Sequence, residues 1–164
     1  MINRMKTSDK GRAFITQNEG KEYHVYEDVA GLKTIGVGHL LTKDELSSGK
    51  IMILGIPVKY AEGLQDFDID RLLMQDLASA EGAVNFGVEV PLTQYQFDAL
   101  VDFVFNVGRV AFLNSTLRKV INAEQFAQVS IQLKRWNKAG GKTVQGLVNR
   151  REAEIAMFEG GYER

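Results

Sequence analysis

The chain contains no cysteine. Disulfide frameworks, thiolate nucleophiles and cysteine-ligated metals are therefore excluded. Histidine is almost as scarce: only His24 and His39 are present, too few for a histidine-rich metal cluster. Long apolar runs are missing as well. The longest, Ile51-Met52-Ile53-Leu54-Gly55-Ile56-Pro57-Val58, is too short to span a bilayer. The first ten residues, Met1 to Lys10, lack the apolar stretch of a secretory leader. The expectation is a chain made and folded in the cytoplasm, without stable membrane insertion. What is present is ordinary for a globular protein: 164 residues, 45% hydrophobic and 25% charged, enough to bury a core in one domain split into two lobes.

The net charge is only −1, but it hides an asymmetry. Residues 44–90 carry nine acids against three bases, a balance of −6. Residues 118–151 carry eight bases (Arg118, Lys119, Lys134, Arg135, Lys138, Lys142, Arg150, Arg151) against Glu124 alone, a balance of +7. Two readings stay open: a basic surface that meets an anionic polymer such as a cell wall or nucleic acid, or two solvated faces that attract each other. Base stacking on nucleic acid needs aromatic platforms, and Trp136 is the sole aromatic residue between positions 127 and 151, so nucleic acid is not an expected partner.

Helix signals punctuate much of the chain. Ser8 or Asp9 caps a short helix that runs to about Asn18 and stops at Gly20, with Phe14 and Ile15 inward. Residues 22–38 read as strand, turn at Ala30-Gly31, and strand. Thr42-Lys43-Asp44-Glu45 opens a short helix that ends at Gly49, whereas 50–66 shows no clear period. From Asp68 to about Phe86, the pattern Ile69, Leu72, Leu73, Asp76, Leu77, Ala80, Ala83 and Val84 fits one long amphipathic helix. Thr93 caps a core helix bearing Phe97, Leu100, Val101, Val104 and Phe105. Further helices are predicted at 115–122, 124–136 and 147–158, with Gly140-Gly141 in a loop. The fold class is α+β and mostly helical: a small lobe over about 12–67 with a β-hairpin, a connecting helix over 68–86, and a helical lobe over 87–164 on which the N-terminal helix packs.

The most informative run is Glu19-Gly20 … Asp28 … Gly31 … Thr34-Ile35-Gly36-Val37-Gly38-His39, which spaces two acids and a hydroxyl as E-x8-D-x5-T. Two carboxylates on opposite sides of one bond are what glycoside hydrolysis requires. Glu19 sits where the first helix ends, and the negative end of a helix dipole favours the uncharged, proton-donating form of a carboxyl. Taken singly, each residue has a plainer explanation. Glu19 fits an exposed helix end, Asp28 a turn former, Thr34 a strand residue, and His39 a hydrogen-bond donor that ties a loop.

Together these residues resemble the phage-type lysozymes of glycoside hydrolase family 24, whose signature is a Glu at a helix end, an Asp or Cys on a hairpin and a Thr on the next strand. The similarity extends to Phe105-Asn106-Val107-Gly108, Ser115-Thr116-Leu117, the run Trp136 to Gly141 and the run Gly146 to Glu154, covering about 10–160 with 47–67 matching poorly. The resemblance implies a two-lobed lysozyme-like fold and hydrolysis of the β-1,4 bond between N-acetylmuramic acid and N-acetylglucosamine in bacterial peptidoglycan. It implies Glu19 as general acid, Asp28 and Thr34 as the pair that positions the water, inversion at the anomeric carbon, and no metal or cofactor. His39, Phe105, Asn106 and Arg150 are implied in binding or support, Arg150 at the family position of an arginine facing the acid, and the substrate groove is expected between the lobes. The chain departs from many such lysozymes in being nearly neutral, so attraction to an anionic wall falls to the 118–151 surface. The expected setting is host-cell lysis at the end of a phage cycle by a monomer. Release from the host cytoplasm to the periplasmic wall then depends on a separate holin, since no N-terminal tether is expected.

Two rivals share the same residues. A lytic transglycosylase cuts the same bond with one glutamate and forms an internal anhydro sugar, which Asp28 and Thr34 argue against. A non-catalytic wall-anchoring module keeps the fold but has no need of Glu19.

Overall fold

The structure, a computed structural model, describes residues 1–160. The last four positions of the helical lobe expected over 87–164 lie outside the described residues. Backbone packing divides the chain into two compact units, one formed by Arg12–Ala78 and the other by Met1–Gly11 together with the chain from Ser79 onward. No helix among the described residues is long and apolar enough to cross a membrane.

The contiguous unit starts within α1 (Asp9–Glu19). The hydroxyl of Ser8 accepts from Gly11 N–H at 3.0 Å, and Gly20 N–H closes the other end on the Thr16 carbonyl. Phe14 and Ile15 are buried, as their spacing predicts. An antiparallel sheet follows, β1 (Glu22–Glu27), β2 (Lys33–Gly36) and β3 (His39–Leu40), in that order across the sheet. Its register sets Tyr26 opposite Thr34 and Ile35 opposite His39. Next comes α2 (Lys43–Ser48), closed by a reciprocal capping box between Thr42 and Glu45.

Residues 50–59, without a legible period in the sequence, form a second hairpin, β4 (Lys50–Ile53) and β5 (Ile56–Lys59). Its two-residue turn holds Leu54 at φ 48° and Gly55 at φ 85°, the doubly left-handed geometry that matches strand twist. Ile51 and Ile53 are buried, while Met52, Leu54 and Ile56 remain exposed. The helix expected unbroken over 68–86 is instead two segments, α3 (Asp66–Asp76) and α4 (Ala78–Gly87). Leu77 interrupts them because its ψ of −13° falls short of the helical value, even though its N–H still reaches the Leu73 carbonyl.

The second unit is built around α5 (Gln94–Val107), capped by Thr93 and Gln96. Every residue from Phe97 to Val104 is buried, so this is a core helix rather than an amphipathic one. Around it come α6 (Arg109–Leu113), α7 (Thr116–Asn122), a 3₁₀ turn at Phe126–Gln128, α8 (Val129–Lys134), the short ladder β6 (Lys138–Ala139) with β7 (Lys142–Thr143), and α9 (Gln145–Phe158), which packs on α5. The helix expected over 124–136 thus shortens to α8 preceded by the 3₁₀ turn, where Glu124 at φ 58° breaks the run. Arg118 donates to the Gly87 and Leu113 carbonyls and so closes the end of α4. The first residues belong here too. Asn3 donates to the Val88 and Val90 carbonyls, Thr7 gives its N–H and hydroxyl to Glu81, and Ser8 binds the Asp98 carboxylate.

Candidate active site

In the contiguous unit, the sheet and the end of α1 collect the residues singled out by their spacing. Glu19 is the last residue of α1 and is half-buried. Its Oε2 lies 3.6 Å from where a Cβ on Gly38 would stand. Gly38 has φ 69°, a left-handed conformation that any other residue adopts only with strain. Glycine at 38 therefore permits the turn that passes beside the Glu19 carboxyl.

Asp28 opens the loop between β1 and β2. Its Oδ1 accepts from the N–H groups of Ala30 and Leu32, each at 2.9 Å, while its own N–H reaches the Leu32 carbonyl. The turn-forming role is thus real, and it occupies only one carboxylate oxygen. Oδ2 accepts no hydrogen bond among the described residues and remains available to a water. Thr34 is 2% exposed, and its hydroxyl donates to the Leu32 carbonyl at 2.9 Å, which aims the oxygen lone pairs away from that bond.

Tyr26 was not evident from the spacing alone. Burial first, then the negative charges of Glu22, Asp28 and Glu19, push its phenol above the ordinary value. The tyrosine therefore sits within electrostatic reach of both candidate acids. No linear signal marks it; its place opposite Thr34, two residues before Asp28, follows from the cross-strand register.

His39 is a tether. Its Nδ1 lies 2.8 Å from Asp76 Oδ2 and its Nε2 lies 2.9 Å from Glu45 Oε1, joining β3 to α2 and α3. Burial opposes its charge, but the hydrogen bonds and charges of Asp76 and Glu45 outweigh that and raise its pKa to about 9. The imidazolium donates from both nitrogens, so its part is structural support.

The helical unit brings together Asn106, Trp136 and both arginines of α9, and among the described residues no side-chain hydrogen bond or ring contact joins Phe105 to this cluster. Arg150 is bidentate on the fully buried Asp102, with Nε to Oδ2 at 3.0 Å and Nη2 to Oδ1 at 2.9 Å. Arg151 and Glu154, one helical turn apart, are also fully buried, which sequence reasoning missed because charges at that spacing read as a solvated face. Arg151 Nη2 donates to Glu154 Oε2 at 2.9 Å and to Asn106 Oδ1 at 2.7 Å, and its Nη1 reaches the Trp136 carbonyl. The guanidinium lies over the Phe103 ring, 5.0 Å from its centroid, and Trp136 meets the same ring edge-on. Burial, followed by the neighbouring Asp102 carboxylate, holds the Glu154 carboxyl well above the usual range despite both arginines. Phe105 and Asn106 are half-buried. Beside Asn106 a cavity of about 370 Å³ is lined by Asn106, Arg135, Trp136, Lys138, Arg151 and the apolar Val107 and Leu147. Among the described residues no three acidic or imidazole groups gather as metal ligands would.

The chain is similar to known proteins in sequence and in fold. The phage lysozyme family matches residues 16–154. The endolysin of Acyrthosiphon pisum secondary endosymbiont phage 1 is 36% identical over 94% of this chain and 99% of its own length. The endolysin of Bacillus phage PZA is 38% identical, although this chain spans only 56% of that longer protein. Among solved structures, the endolysin from Escherichia coli O157:H7 phage FAHEc1 superposes with a TM-score of 0.80 at 34% identity, covering 96% of both chains. The fold and these relatives define an enzyme of the glycoside hydrolase class with an α+β, lysozyme-like architecture. Within that class, the chain belongs to the phage lysozyme family.

Proposed function

We propose that this chain is an endolysin that hydrolyses the β-1,4 bond between N-acetylmuramic acid and N-acetylglucosamine in peptidoglycan. Glu19 gives its proton to the leaving oxygen. Asp28 Oδ2 and the Thr34 hydroxyl hold a water, which adds to the anomeric carbon with inversion while Asp28 takes its proton. The observation that carries this reading is the half-occupied Asp28 carboxylate: two backbone N–H groups fix Oδ1, so Oδ2 is both open and rigidly aimed. The site asks only for two carboxylates and water. In the helical unit, Asn106 and Phe105 serve glycan binding, and Arg150 supplies a cation fixed by Asp102. The enzyme acts as a monomer and lyses the host at the end of a phage cycle. It passes from the host cytoplasm to the periplasmic wall through a lesion made by a separate holin.

Glu19→Gln tests the assignment. Loss of wall hydrolysis by at least about a hundredfold, with the fold intact, is the scale expected for a general acid. Near-normal turbidity clearance by the variant rules Glu19 out. The fresh reducing end of the wild-type product, read by NMR before mutarotation, should be the α-anomer. A product lighter by one water would instead establish a transglycosylase.

A further inference from the structure

Arg151 carries five donors and no acceptor, so only the carbonyl oxygen of the Asn106 amide can face it. The opposite rotamer would press NH₂ against guanidinium. The 2.7 Å contact thus fixes the amide without appeal to anything beyond it, and the NH₂ end is left on the side away from Arg151. Asn106 makes no other side-chain bond among the described residues. Arg151 in turn has little freedom. It is fully buried, paired with Glu154 through two nitrogens, and pinned on the Trp136 carbonyl and the Phe103 ring. The cavity beside Asn106 has one chemical sign, because its other polar side chains, Arg135, Lys138 and the Trp136 indole, can only donate.

We propose that Arg151, clamped by Glu154, is a positioning residue that turns the Asn106 amide so that its NH₂ group meets an acceptor oxygen of the substrate in this cavity. The proposal rests on the reading of Asn106 as a glycan-side contact. It adds that the buried pair on α9 exists to hold that contact in one orientation. The occupant is an acceptor-rich group of the wall polymer, a carbonyl or carboxylate with an apolar face against Val107 and Leu147.

The test is a kinetic cycle on soluble, uncross-linked peptidoglycan chains. Arg151→Met with Glu154→Met removes the buried pair as a neutral unit of similar volume, a change that folds tolerate. KM should rise about tenfold, the worth of one well-placed hydrogen bond, while kcat changes far less. Asn106→Ala should raise KM to the same extent, and combining all three substitutions should raise it no further. A KM that stays at the wild-type value in the Met pair, or effects that multiply in the triple variant, overturns the proposal. Should the Met pair fail to fold, the wild-type protein decides the matter by NMR. Titration with the same chains should shift the Asn106 side-chain NH₂ resonances, and their failure to move overturns the proposal equally. A Glu19→Gln variant that still hydrolyses the wall would defeat the acid assignment but leave these KM ratios standing.

Discussion

Replacing His39 with glutamine should remove a pH-dependent share of stability that the structure lets us size. The imidazole is 11% exposed and faces two carboxylates at hydrogen-bond distance. Its folded pKa of about 9 stands above the ordinary 6.5 of the unfolded chain. Below pH 6.5 both states carry the proton, and the full benefit of the charged pairing is present. Between 6.5 and 9 the folded state alone holds the proton, so unfolding releases it and stability falls by about 1.4 kcal/mol per pH unit. Across the window of about 2.5 units the loss is about 3 kcal/mol, roughly 6–12 °C in Tm for a chain of this size. Urea unfolding of wild type and His39→Gln at pH 6 and pH 10 reads this directly. Differences between the two proteins cancel the titration of lysines and tyrosines elsewhere. The advantage of the wild type at pH 6 should shrink by about 3 kcal/mol at pH 10. An advantage that stays level across the range would show that the Asp76 and Glu45 contacts do not hold the charged imidazole, and the tethering account would fall.

Asp28→Asn keeps an oxygen for the Ala30 and Leu32 N–H groups but replaces the open oxygen with NH₂. Activity should drop by about a hundredfold or more, while Tm stays within a few degrees of wild type; a collapsed Tm would show that the carboxylate serves the turn alone. Gly38→Ala should cost about 1–2 kcal/mol through its positive φ, and the new methyl beside Glu19 Oε2 should lower turnover, both measurable on the purified variant. Arg150→Met leaves Asp102 buried and without its bidentate partner, so denaturation should register a loss of about 3–5 kcal/mol, and a loss below about 1 kcal/mol would contradict the burial of that pair.

Much of the backbone was legible because its signals are local. Ser8 and Thr93 as caps, the Thr42–Glu45 box and Gly49 as a stop all act within a few residues of themselves, and all appear where the sequence puts them. The β4–β5 hairpin escaped for a physical reason. Met52, Leu54 and Ile56 are apolar yet exposed, so the alternation that marks a half-buried strand is erased, and Leu54 takes a turn position where glycine or asparagine is the usual cue. The break at Leu77 was hidden because the apolar period runs straight through it. The acids and hydroxyl of the candidate site were visible as a linear pattern. Tyr26 became visible only through cross-strand register, and Arg151 with Glu154 only through burial, a tertiary property that a charged pair at helical spacing does not announce.

The stitching of Asn3, Thr7 and Ser8 to partners 74 to 90 residues later has a consequence for the order of assembly. A nascent chain that has emerged as far as residue 78 already exposes all of Arg12–Ala78, yet Glu81, Val88, Val90 and Asp98 have not left the ribosome. The first segment to leave the ribosome is thus among the last to find its place. Closing loops of that length carries an entropic charge of about 4 kcal/mol, so these contacts await a framework already formed by the later helices. In pulsed hydrogen exchange during refolding, the amides of Thr7 and Ser8 should gain protection after those of the β1–β2 ladder.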